Sequence, residues 1–136
     1  MARLKYRLKH TNDRFAIHVC TIPSATVTQA MAAAGADGVL IDMEHGAVDH
    51  GTAHAMIAAT AGTDCAAIVR VSRNDPAEVK RVLDLGAEGI CFPLIRTAED
   101  AAAAVFEHAL SAARHTRLRP LHCPVAMAIV PSRLSR

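Results

Sequence analysis

At 136 residues the chain is long enough for one domain, burying about two-thirds of its unfolded surface. Hydrophobic residues make up 51% and aromatic residues only 3%, so Ala, Val, Ile and Leu must supply the core. A net charge of +2 with both signs interspersed argues for neither nucleic acid nor membrane as partner, and no apolar run approaches the ~20 residues of a membrane span.

Residues 1–13 are polar and basic, a short arm or lead-in helix without the apolar core of a signal peptide. Phe15–Cys20 reads as a first strand, and Ser24 as the N-cap of a helix that runs to about Ala34 and stops at Gly35. The stretch 36–46 follows, in which Val39-Leu40-Ile41 leads directly into Asp42, Glu44 and His45. An apolar run bounded by glycine is the mark of a buried parallel strand. Val48–Ala61 has apolar residues at helical spacing, and Cys65–Arg70 is a third strand ending on a charge. Asn74-Asp75-Pro76 is a helix start, with Asn or Asp as cap and Pro in the first turn. Gly89–Leu94 is a fourth strand, and Thr97–Asp100 opens a fourth helix with a capping box.

Strands alternating with helices of this length imply successive right-handed βαβ units. The segment Ala34–Val39 is echoed by Leu85–Ile90, 51 residues later. Each copy contains a helix end, a glycine turn and a strand start, which fits a (β/α) barrel better than an open sheet. From Ser111 the character changes: 115–120 is basic and loop-like, and Val125–Val130 is a candidate fifth strand. Four or five βα modules cannot close an eight-stranded barrel, which typically needs ~250 residues. The expected domain plan is therefore an arm over 1–13, part of a (β/α)8 barrel over 14–112, and a divergent tail over 113–136, by frameshift or truncation near Ser111.

Catalytic groups of parallel α/β sheets lie just past the C-terminal ends of the strands. Asp42, Glu44 and His45 occupy that place after strand two, Arg70 ends strand three, Pro93 follows strand four, and Asp84 lies near the end of the third helix. Each has a plainer reading: Asp42 or Glu44 as a helix cap, Arg70 as an ion-pairing residue, Asp84 as a solvated helix residue, His45 as a turn histidine. His50 and His54 have metal-pair spacing but lack a third ligand, so a solvated helix face is preferred. Cys20, Cys65, Cys91 and Cys123 form no C-x-x-C pair and read as small core residues of a cytoplasmic protein.

Taken together, LIDMEHG (40–46), VRVSRNDPAEVKRVLDLGAEGICFP (69–93) and RTAEDA (96–101) resemble the HpcH/HpaI aldolase family over roughly residues 14–105. The resemblance implies the N-terminal half of a (β/α)8 barrel from class II pyruvate aldolases that assemble as trimers or hexamers. It also implies reversible cleavage of a 4-hydroxy-2-oxo acid to pyruvate and an aldehyde, through an enolate bound to Mg, Mn or Co. Carried over residue by residue, it makes His45 the general base, Asp84 its partner carboxylate and Arg70 the cation for the pyruvate carboxylate and enolate. Asp42 and Glu44 become supporting residues near the metal–water network. The family's Tyr-Pro-Pro-x-Gly-x-Arg-Gly loop is replaced here by 113–120, and its metal-binding Glu and Asp lie beyond this chain. Two rival readings stand beside this one: a non-catalytic fragment that at most associates with other chains, and a different (β/α) enzyme using His45 with Glu44 directly.

Overall fold

The computed structural model describes residues 3–10, 14–105 and 125–128. Five strands, β1 (Ile17–Cys20), β2 (Gly38–Asp42), β3 (Ala66–Arg70), β4 (Gly89–Phe92) and β5 (Val125–Ala128), form one sheet in the order of the sequence. Every neighbouring pair is parallel. Helices α1 (Arg3–His10), α2 (Ala25–Ala33), α3 (His50–Ala58) and α4 (Pro76–Asp84) are joined by α5, helical over 98–105. A doubly wound sheet reverses its strand order at a switch point. This sheet never reverses, so its crossovers all turn the same way, as in the expected part of a barrel.

Local chemistry sets the helix boundaries. Ser24, Asp49 and Asp75 have extended backbones and accept from Val27 N, Thr52 N and Ala77 N respectively, each satisfying a donor that the first helical turn leaves free. Asp75, not Asn74, is therefore the cap before Pro76, and α3 starts at His50 because Asp49, two residues into the expected helix, is extended. Asp100 accepts from Arg96 N and Thr97 N while its own N–H donates to Thr97 Oγ1, the reciprocal pattern of the capping box.

The internal echo is structural. Gly35 and Gly86 both have positive φ, 89° and 104°. Ala36 N and Ala87 N then reach back to the carbonyls of Met31 and Val82, the six-residue closure of a Schellman turn. The next residues, Asp37 and Glu88, donate to Ala16 O and Ala67 O, which begins the ladder to the preceding strand. The same hexapeptide pattern thus ends a helix and sets the register of the next strand twice.

Two faces of the sheet have different cover. Val39, Ile41, Ala67, Val69, Ile90 and Phe92 pack with α2–α5 in one core that includes Met56, Val79, Val82 and Ala104. On the alternate residues Leu40, Ala66, Ile68 and Cys91 form a second cluster, the inner face, covered by Leu4 of α1 and flanked by Phe15 and Ile17. Arg7 fastens α1 through an ion pair with Asp37, which also accepts from Ala16 N. It lies over the Phe15 ring, 4.8 Å from its centroid. The basic N-terminal segment is therefore a cover for the inner face. Strand β5 falls within the expected fifth strand, whereas Cys123 and the rest of the 113–136 tail lie outside the described residues.

Truncating Leu4→Ala should remove that cover and cost about 2–5 kcal/mol, the range for a buried leucine. Denaturant unfolding checks the cost. Thiol labelling followed by mass spectrometry should show Cys91 reacting faster in the variant, with Cys20 and Cys65 unchanged because they belong to the other core.

Candidate active site at the strand ends

Register places the inner-face side chains in rows. Val19, Leu40, Ile68 and Gly89 are successive partners across β1–β4 and make an apolar row. One step toward the C-terminal ends, Asp42, Arg70 and Cys91 are successive partners. The inner face thus changes from aliphatic to ionic in a single step along the strands. That change marks the floor of the candidate site.

Asp42 is fully buried, at 0% exposure. Its Oδ1 accepts from Arg70 Nε at 2.9 Å and its Oδ2 from Arg70 Nη2 at 2.5 Å, a two-point fork. Oδ1 also accepts from Glu44 N at 3.0 Å and His45 N at 3.2 Å. Three of the four donors share Oδ1 and one meets Oδ2. The guanidinium beside Asp42, followed by those two backbone N–H groups, holds its carboxyl below the usual value of 3.8 against the opposing effect of burial. The same bond raises Arg70 above its ordinary value. Asp42 therefore fixes both the arginine and the turn carrying the histidine.

Glu44 Oε2 forms an ion pair 3.3 Å from Arg70 Nε, the nitrogen that also donates to Asp42, and lies 3.8 Å from His45 Nε2. The His45 side chain is 69% exposed at the rim, so it can meet a molecule arriving from solvent. Arg70 retains 23% exposure, and among the described residues its Nη1 donates to no partner. The turn closes at Gly46, where a Cβ would lie 2.4 Å from Asp42 O and 3.1 Å from Thr21 O. Only glycine fits between the β2 end and the β1–α2 loop.

Asp42, Glu44, His45 and Arg70 are thus brought together, and Asp84 is not. Asp84 ends α4, is exposed, and pairs with Lys80 Nζ at 2.7 Å. Helix α4 runs back from the strand ends, which puts Asp84 at the far end of a helix about 13 Å long. Pro93 is buried just past β4. His54 is exposed as expected, whereas His50 is half-buried with Nε2 enclosed and without a partner among the described residues. Burial also raises the Cys91 thiol, beside Arg70 in the ionic row. The steric need for Gly46 and the clamp role of Asp42 are additions to the sequence reading. The D-x-E-H-G spacing carries the signal for both, since an aspartate often accepts from N–H groups two and three residues on.

Residues 20–129 match the family model described as HpcH/HpaI aldolase/citrate lyase. The chain belongs to the HpcH/HpaI family. It is 40% identical over 104 residues to a hydroxypyruvate/pyruvate aldolase of Paraburkholderia phytofirmans, covering 75% of this chain and 40% of that protein. It is also 40% identical over 82 residues to a 2-dehydro-3,6-dideoxy-6-sulfogluconate aldolase of Pseudomonas putida, covering 60% and 32%. The crystal structure of an HpcH/HpaI aldolase/citrate lyase family protein from Burkholderia cenocepacia superposes with a TM-score of 0.74 at 35% identity, over 79% of this chain and 42% of that one. The chain therefore spans 32–42% of the length of these relatives, consistent with the N-terminal half of the family's barrel.

The HpcH/HpaI family is generally metal-dependent. The residues brought together here do not fit a divalent ion: the charge of buried Asp42 is forked to Arg70, and Glu44 pairs with the same guanidinium. No group of three or more His, Cys, Asp and Glu able to hold a metal occurs among the described residues.

Two expectations follow. Gly46→Ala should destabilise the fold by about 1–3 kcal/mol, the scale of overpacking, or expel the His45 turn; a thermal melt with ¹H chemical shifts of His45 separates these. Because Asp42 titrates below 3.8 when folded, its contribution is complete above that value and lost as pH falls through the lower folded value. Asp42→Asn should flatten stability against pH in that acid window, as measured by urea unfolding between pH 2 and pH 5, roughly bracketing the shift.

Proposed function

We propose that this chain supplies the oxo-acid-binding and proton-handling part of a pyruvate aldolase: reversible cleavage of a 4-hydroxy-2-oxo acid to pyruvate and an aldehyde. The observation that carries the proposal is the clamped Arg70, locked edge-on by Asp42 with Nη1 left for a ligand. A planar guanidinium held in this way suits a carboxylate and the negative charge that grows on the adjacent oxo oxygen. Relatives named as hydroxypyruvate/pyruvate and sulfogluconate aldolases support the same substrate class.

In the cleavage direction His45 takes the proton of the substrate's 4-hydroxyl. The C3–C4 bond then breaks, its electron pair passes through C3 to the 2-oxo group, and the aldehyde departs. Arg70 balances the charge on the resulting enolate, and a proton delivered to C3 gives pyruvate. Imidazole is suited to this task because its ordinary pKa lies near neutrality. Glu44, between Arg70 and His45, orients the ring and balances its charge when it holds the proton.

No step is assigned to a metal, since these residues do not fit one. Asp84 enters the proposal only through a second copy of the chain, because within one chain it lies at the far end of α4, paired with Lys80. That contribution belongs with assembly as a trimer or hexamer in the cytoplasm. No described helix is long and apolar enough to cross a membrane.

Ligand-observed NMR with pyruvate tests the assignment of roles. Arg70→Ala should abolish saturation transfer to the pyruvate methyl group. His45→Ala should keep binding but slow hydrogen–deuterium exchange at that methyl at least ~100-fold, the scale of a general base. Unchanged pyruvate binding in Arg70→Ala would remove the carrying observation.

A further inference from the structure

Immediately past β4 the backbone makes a turn in which Leu94 has φ 58°, and Leu94 is the one non-glycine residue with positive φ among the described residues. A γ-branched side chain is disfavoured in this left-handed region, where a turn after proline calls for Gly or Asn. The strained residue is also 75% exposed, although its neighbours Pro93 and Ile95 are buried. The turn is thus anchored on both sides while it holds a large apolar side chain out in solvent. Strain of this kind persists where the surroundings over-determine it, and it concentrates at ligand sites.

Its place in the sheet relates it to the ionic row. Leu94 lies three residues past Cys91, the register partner of Arg70, at most about 10 Å along the strand direction. A second exposed aliphatic residue stands on the opposite side. Ile22, 55% exposed, follows β1, and its carbonyl accepts from Ser24 N at 2.7 Å and from Cys20 Sγ at 3.4 Å. Its neighbour Thr21 is the residue against which Gly46 packs, so Ile22 flanks the His45 turn. Strands β1 and β4 are three spacings apart, about 14 Å. In strand order, the His45 turn after β2 and Arg70 at the end of β3 lie between these two residues.

We infer that Leu94 and Ile22 form an apolar rim over the Arg70–His45 site, so that the carbonyl partner it accepts carries an alkyl or aryl substituent. The inference rests on the oxo-acid reading above and deepens it. Arg70 takes the carboxylate end of the ligand, and the far end meets Leu94 rather than a hydrogen-bonding group. A polyhydroxylated tail there would exchange water for aliphatic surface and lose its hydrogen bonds.

Two ligands of equal chain length test it on the whole 136-residue chain: 2-oxohexanoate and 4,5,6-trihydroxy-2-oxohexanoate, titrated by ligand-observed NMR beside pyruvate. The wild type should bind the alkyl ligand about 10-fold more tightly than the trihydroxy one, the low end for apolar pocket discrimination. Leu94→Asn, which suits the left-handed backbone, should bring the two within about twofold, leave pyruvate affinity unchanged, and raise the melting temperature by about 4 °C. Equal binding of the two ligands by the wild type, or a preference that survives Leu94→Asn, would overturn the inference and leave the oxo-acid reading intact. A lower melting temperature with loss of self-association would also overturn it, by placing Leu94 against a second copy. Failure of the wild type to bind pyruvate at all would overturn both.

Discussion

The buried fork between Asp42 and Arg70 is the contact on which the rest of the site depends. A carboxylate at 0% exposure is costly unless its charge is matched and its lone pairs are filled. Arg70 supplies the charge and two donors, and the backbone of Glu44 and His45 supplies two more. Removing one member leaves the other uncompensated, which is worth about 3 kcal/mol at the low end of the range for a broken buried pair. The same four bonds fix the arginine's plane and the direction of the 43–46 turn. Rigidity and function therefore come from the same atoms.

The fork depends on register. Asp42 and Arg70 are direct partners in adjacent parallel strands, so both side chains leave the sheet on the inner face. A shift of one residue would turn one of them into the helix-covered core. Register is set at the other end of the strands, where the Gly35 and Gly86 turns pass the chain from helix to ladder. The Arg7–Asp37 clasp then holds α1 over the aliphatic row below the fork. The ionic pair thus has a dry floor, which strengthens its electrostatics.

At the open side of the site, order gives way to exposure. His45 is held by its backbone bond to Asp42, and Leu94 sits between buried Pro93 and Ile95, while both side chains remain in solvent. A proton-transfer group must be reached by its substrate, and a side chain that discriminates between substrates must be exposed before it is covered. With Asp42 and Glu44 both paired to Arg70, chelation of a divalent ion requires carboxylates other than those gathered here. This agrees with a chain that spans about 40% of its relatives' length.

Much of this was written in the sequence. Period and punctuation determined the alternation of strands and helices, because caps, glycine turns and apolar runs are local chemistry. The repeated hexapeptide announced a barrel-type repeat, and D-x-E-H-G with a later Arg announced the family. The three-dimensional fold decided what spacing could not. It paired Asp42 with Arg70 across 28 residues, turned a supporting carboxylate into the clamp, and set Asp84 at the far end of its helix. It also set Leu94 in a left-handed turn where an extended strand was expected, because β4 stops at Phe92 and the chain must turn at buried Pro93. Which side chains meet depends on register and on the direction in which each helix returns, and these follow from packing between segments distant in the chain.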